Sequence, residues 1–125
     1  MKIIITLIIL LMFSLANASG HLSKKDKEAT TKCTGIYYAN SMITQDKLEL
    51  NKIVHSFAAK KFLSDYLIKE GVNEDALNKE LNKSVDALYG KPYDSEATTK
   101  CDEYIFKLIP ESKEEIDKII RSGVY

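Results

Sequence analysis

Asp26-Lys27-Glu28-Ala29-Thr30-Thr31-Lys32-Cys33 and Asp94-Ser95-Glu96-Ala97-Thr98-Thr99-Lys100-Cys101 are two copies of one octapeptide, differing only at the second position. Each copy ends in one of the chain's two cysteines. Each is followed by an apolar, aromatic patch: Ile36, Tyr37 and Tyr38 in the first, Tyr104, Ile105 and Phe106 in the second. Ala29, Cys33, Ile36 and Tyr37, and likewise Ala97, Cys101, Tyr104, Ile105 and Leu108, recur at helical spacing. The copies therefore read as equivalent helices that present their cysteines to each other. Facing Cα atoms on helices packed about 9–10 Å apart lie about 5 Å from one another. That falls inside the roughly 4.4–6.8 Å that a disulfide requires. Ala29 and Ala97, one turn before each cysteine, keep such a crossing slim, and the threonines can bond back to their own helix turns. A pair of similar packing helices explains the repeat better than a binding motif displayed twice, and the absence of a third copy argues against a solenoid.

The segment ahead of the first copy sets the compartment. Residues 1–18 read as a signal peptide: Lys2 is the positive n-region, Ile3 to Leu15 is an almost unbroken apolar run, and Ala16-Asn17-Ala18 supplies the small residues of a cleavage site. The run is shorter than the about 20 residues that span a bilayer, and no cysteine follows it to carry a lipid. The expectation is an exported chain, periplasmic or extracellular, with one folded domain over 19–125 and no membrane association after cleavage. In an oxidising compartment two thiols most simply form one disulfide, here Cys33 to Cys101, with an interchain bridge or a free pair as the alternatives.

Lysine plus arginine and aspartate plus glutamate balance at 18 each, and Arg121 is the only arginine. No basic patch recommends nucleic acid as a partner, and bidentate anion clamps are essentially unavailable.

The remaining chain reads as helices throughout. Ser23 or the Asp26 region starts the first, whose stripe includes Ile43 and encloses Asn40, with Gly35, Tyr38 and Met42 on another side. Apolar residues on two sides place a helix centrally in a bundle, and Gly35 suggests a close backbone approach. Thr44 to Lys47 reads as a break. The second helix is expected from Lys47 to Lys69, with Leu50, Ile53, Val54, Phe57 and Ile68 on one face and Leu48, His55, Ala59, Phe62 and Tyr66 on the other. Gly71 ends it. Asn73 caps the third helix, with Val72 and Leu77 as a hydrophobic staple and Leu77, Leu81, Val85 and Leu88 as its stripe. Gly90-Lys91-Pro92 stops it, Asp94 or Ser95 caps the fourth, and Pro110 ends that one. Ser112-Lys113-Glu114-Glu115 fits a capping box for a short last helix with Ile116, Ile119 and Ile120 inward. The expected fold is an all-α, single-domain bundle of four to five helices, with one intrachain disulfide joining the first and fourth.

Chemistry is sparse. His21 lies in the N-terminal lead-in, and His55 reads as a half-buried polar group at the edge of the core. A general base needs a nucleophile or an orienting carboxylate beside it. Neither Ser56 nor Asp65 has the spacing to share the His55 face. There is no H-E-x-x-H, C-x-x-C or EF-hand loop, and no glycine-rich phosphate loop. Neither an enzyme nor a metal or other cofactor is expected. Asn40 is a candidate buried polar group that must find a partner. Tyrosine is enriched, seven residues against no tryptophan, and exposed tyrosines are favoured interface anchors. Tyr89 and Tyr93 flank Gly90-Lys91-Pro92, so Tyr89, Lys91 and Tyr93 form the candidate contact surface.

With a signal peptide, Cys33 early and Lys100-Cys101-Asp102 opening an apolar stretch late, the chain resembles the periplasmic all-helical immunity proteins of type VI secretion amidase effectors. The resemblance covers the two cysteine-bearing helices; the middle of the chain carries no matching motif, so no effector-binding loop is transferred. It implies a non-enzymatic protein that binds another protein in its compartment, as an inhibitor or immunity factor. A disulfide-bonded periplasmic chaperone of the acid-stress type has comparable features, and a carrier holding a small apolar ligand between the helices is a third reading.

Overall fold

Five helices and no strand make up residues 22–123, the portion that the computed structural model describes. They are α1 (Lys24–Ser41), α2 (Leu50–Lys69), α3 (Glu74–Leu88), α4 (Ser95–Leu108) and α5 (Ser112–Ser122). The expected signal peptide, His21 and Tyr125 lie outside the described residues. The all-helical bundle and the Cys33–Cys101 bridge between the first and fourth helices are both present.

Capping residues fix most of the starts. Ser23 accepts the Asp26 N–H at 3.1 Å, Asn73 the Ala76 N–H at 3.0 Å, and Asp94 the Ala97 N–H at 3.0 Å. Each satisfies one of a helix's unpaired first-turn donors, which contributes about 1 kcal/mol. Gly71, at φ 93°, closes α2 as a Schellman cap: Val72 N–H reaches Leu67 O and Gly71 N–H reaches Ile68 O, both at 3.0 Å.

α1 is the central helix and packs against α2, α3 and α4. Its sides answer to different neighbours. Cys33 and Tyr37 belong to the main core with Ala58, Ala59, Leu63, Cys101, Ile105 and Ile116. Tyr38 instead packs on a second cluster, Leu67, Leu77 and Leu81, which seats α3. Gly35 is where α1 and α3 approach closely. A Cβ added there would lie 2.5 Å from the Ser84 Cβ and closer still to its hydroxyl.

Three expectations need correction. α2 begins at Leu50 rather than Lys47, because Thr44 O takes the Lys47 and Leu48 N–H groups in a tight turn that buries Leu48 before the helix starts. The first of the two sides expected of α2 is core only at Ile53, which is 6% exposed. α1 and α5 cover Ala58, Ala59 and Leu63, leaving Leu50 54%, Phe57 39% and Ile68 37% exposed. Ser112 forms no capping box: it is the first residue of α5, fully buried, and its hydroxyl points to Ile105 O of α4 at 3.5 Å.

Candidate functional site

The two octapeptide helices meet in an antiparallel seam, since residues later on α1 bond residues earlier on α4. Tyr104 OH donates to Asp26 Oδ1 at 2.6 Å, and Cys33 is bridged to Cys101 with Cα atoms 5.5 Å apart. Tyr37 OH donates to Asp102 Oδ1, and Asn40 Nδ2 donates to Thr98 Oγ1 at 3.1 Å. Burial, then the bond to Asp102, holds the Tyr37 phenol far above its ordinary value. Desolvation and the Asp26 carboxylate push Tyr104 up to about 12. A hollow opens on each side of the Asn40–Thr98 end of the seam.

The first hollow is a groove of about 710 Å³ between the C-terminal end of α1, the 42–47 turn, the 89–94 loop and the first turn of α4. Ile36, Ala39, Ile43, Leu88 and Ala97 line it, with Lys47 and Lys91 among its charged groups. The structure brings the candidate contact residues Tyr89, Lys91 and Tyr93 to this groove, together with Asn40. Tyr89 is 78% exposed and Met42 42%, while Asn40 is only 6% exposed.

The Asn40 geometry fixes which way its amide points. Thr98 donates its hydroxyl proton to Asp94 O at 2.9 Å, so toward Asn40 it can only accept. The Asn40 NH2 group therefore faces Thr98. Its Oδ1 has no hydrogen bond among the described residues. The groove lies against Asn40, whose oxygen solvent still reaches.

The second hollow, about 740 Å³, holds His55, Ser56, Thr98, Thr99 and Asp102, and shares Tyr93 with the groove. Lys52 Nζ sits 5.5 Å from the Tyr93 ring centroid, a cation–π contact at the wall between them. His55 is half-buried. Its Nε2 is 3.4 Å from Asp102 Oδ1, and its ring stands edge-on to Tyr37 at 5.9 Å. Asp102 is thus the carboxylate beside His55 that local spacing does not reveal. It arrives from α4 because Cys101, its neighbour, is tied to α1, and that adjacency is the signal by which it can be found. The pair orients an imidazole but puts no hydroxyl within hydrogen-bond reach of it among the described residues.

No group of histidine, cysteine, aspartate and glutamate among the described residues is arranged to hold a metal ion, and no described helix is long and apolar enough to cross a membrane. Fold and site together define a disulfide-clasped helical bundle with an apolar groove at one end of the clasp. No family model matches the chain, and neither a curated protein nor a solved structure was found to be similar to it.

Proposed function

We propose that this chain is an exported, non-enzymatic protein that binds another protein through the groove beside the 89–94 loop, as an inhibitor or immunity factor does. The observation that carries the reading is Tyr89, 78% exposed on the wall of an apolar hollow that also includes Met42, Pro92 and Tyr93. Aromatic side chains around a concave apolar centre are what binding hot spots are built from. A tyrosine left in water on a loop stopped by Gly90 and Pro92 loses little freedom when a partner covers it.

The test is capture by the immobilised, disulfide-bonded protein, followed by measured affinity for whatever is captured. Tyr89→Ala should weaken a stoichiometric partner by at least about tenfold, the effect of removing an interface anchor, and leave the circular dichroism unchanged. Unaltered affinity in Tyr89→Ala would sink the reading. Many weak clients gained at low pH would favour the chaperone. The volume also suits a small molecule, so a co-purifying apolar compound in place of a protein would favour the carrier.

A further inference from the structure

We infer that the groove takes an extended peptide segment of the partner, one that carries an apolar side chain beside a carboxylate and donates a main-chain N–H to Asn40 Oδ1. This rests on the protein-binding reading above and names the chemistry of the partner's contact.

Three features of the groove each demand one part of that description. Its floor of Ile36, Ala39, Ile43 and Ala97 suits an aliphatic or aromatic side chain. Asn40 as a residue is only 6% exposed and its NH2 group faces Thr98, while its Oδ1 is an acceptor that solvent still reaches. A ligand that fills the groove displaces the water at this oxygen, and a carbonyl oxygen covered in that way is bonded in nearly every folded protein, so the ligand must bring a donor to it. A neutral donor next to an apolar side chain is what a peptide N–H is. The charged groups lining the groove are Lys47, Lys91 and Asp94. Asp94 already holds the Ala97 N–H at the start of α4, whereas neither lysine has a carboxylate within ion-pair distance among the described residues, Asp46 acting on Lys47 only through its field. An acidic neighbour on the peptide is therefore complementary, and a basic one is repelled. A fatty acid would suit the floor and the lysines but would leave Asn40 Oδ1 unbonded.

The probes are N-acetyl-Leu-Asp dimethylamide, its analogue methylated on both main-chain nitrogens, N-acetyl-Leu-Lys dimethylamide, and decanoate. Each is titrated into the oxidised full chain while NMR follows the Asn40 side-chain amide and the backbone amides of 88–94. The Leu-Asp probe should shift both sets of resonances at millimolar concentration. Methylation should weaken it by about tenfold, the consequence of covering an acceptor without supplying a donor. Leu-Lys should bind more weakly than Leu-Asp, and Lys47→Glu with Lys91→Glu, both exposed positions, should reverse that order. Equal binding of the methylated probe, or saturation by decanoate at lower concentration than the dipeptide, overturns the proposal. If Tyr89→Ala abolishes partner capture while no dipeptide moves the groove resonances, the peptide chemistry is wrong and the protein-binding reading survives. If the dipeptides bind as stated but Tyr89→Ala leaves capture intact, the groove is a peptide site and the captured partner docks elsewhere.

Discussion

The two octapeptide copies share seven of eight residues and fold into the same helix, yet their side chains lead different lives. Thr98 is bonded twice, to Asp94 O and by Asn40 Nδ2, whereas Thr30 is fully buried with its hydroxyl unpartnered among the described residues. Asp94 caps its own helix, whereas Asp26 receives the Tyr104 phenol from across the seam. Gly35, buried against Ser84, corresponds in register to Glu103, which is exposed. The cause is position in the bundle. α1 has helices on three sides and α4 lies at the flank, so one sequence meets a crowded environment in the first copy and an open one in the second. Across the seam, Asn40 meets Thr98, but Leu108, the residue in the same register as Asn40, has no donor to offer Thr30. A repeat specifies a helix and the side that carries its cysteine, and the neighbours decide what each polar group must do.

The disulfide is the one feature in which the copies are equal, and breaking it should have the largest effect. Closing a loop with a separation of 68 residues stabilises by about 4 kcal/mol in the chain-entropy model. Cys33→Ser and Cys101→Ser should therefore cost the same, about 4 kcal/mol, read as a lowered urea midpoint with a steeper slope, because the unbridged unfolded chain exposes more surface. Unequal costs would show that the two sulfur sites pack differently enough to outweigh loop closure.

The next largest effect belongs to Tyr37, whose second-copy counterpart Ile105 is equally buried but carries no hydroxyl. Tyr37→Phe removes a bond to a partly exposed carboxylate and should cost about 1.5 kcal/mol at neutral pH. It should also change the alkaline limb. The folded phenol is held above its ordinary value of about 10, so its contribution is fully present below pH 10. Above that pH the unfolded chain gives up a proton that the folded chain keeps, and stability falls by about 1.4 kcal/mol per pH unit for such a group. Tyr104, raised to about 12, contributes to the same decline between pH 10 and 12. Stability measured by urea titration from pH 9 to 11 should fall less steeply in Tyr37→Phe than in the native chain. Identical slopes would mean that the phenol ionises normally.

Much of this architecture is legible in the sequence, for physical reasons that also mark where reading stops. Caps at Ser23, Asn73 and Asp94 are local events set by side chains within four residues of the bond, so local inspection finds them. The Cys33–Cys101 pairing follows from two matched helical stripes. The Leu50–Phe57–Ile68 side of α2 looks apolar enough to be buried, but whether a helix covers it depends on where α5 returns, which no local pattern encodes. Asp102 beside His55 is likewise a product of the crossing rather than of spacing along either helix. Tyr89, Lys91 and Tyr93 can be nominated from composition and loop chemistry. That Asn40 sits beneath them, its oxygen open to the same groove, emerges only when α1 and α4 cross.

Gly35 against Glu103 gives the next test. Gly35→Ala gains about 1 kcal/mol of helix propensity but forces a Cβ into the Ser84 Cβ, which no rotamer change can move. Overpacking of this kind costs about 1–3 kcal/mol, so the net change should be a destabilisation of about 1 kcal/mol. Adding Ser84→Gly should return most of it. A second substitution that fails to rescue would show that α1 and α3 are held apart elsewhere. Glu103→Ala, in the corresponding register, should leave the urea midpoint nearly unchanged.

The last pair tests the asymmetry most directly, because the same substitution is made at the same repeat position in both copies. Thr98→Val removes the acceptor that Asn40 Nδ2 uses and strands a donor in a nearly closed site, which should cost about 1–2 kcal/mol. Thr30→Val replaces an already stranded hydroxyl with a methyl of similar shape in the same β-branched frame. No bond is lost, and the desolvation cost of that hydroxyl is removed. The Thr34 hydroxyl still bonds the Thr30 carbonyl at 2.7 Å, because that contact uses the backbone and not the substituted side chain. Thr30→Val should therefore be neutral or stabilising by up to about 1 kcal/mol, opposite in sign to its twin. Equal losses at both positions would mean that Thr30 holds a bonded internal water, and the two copies would then be energetically alike despite their different neighbours.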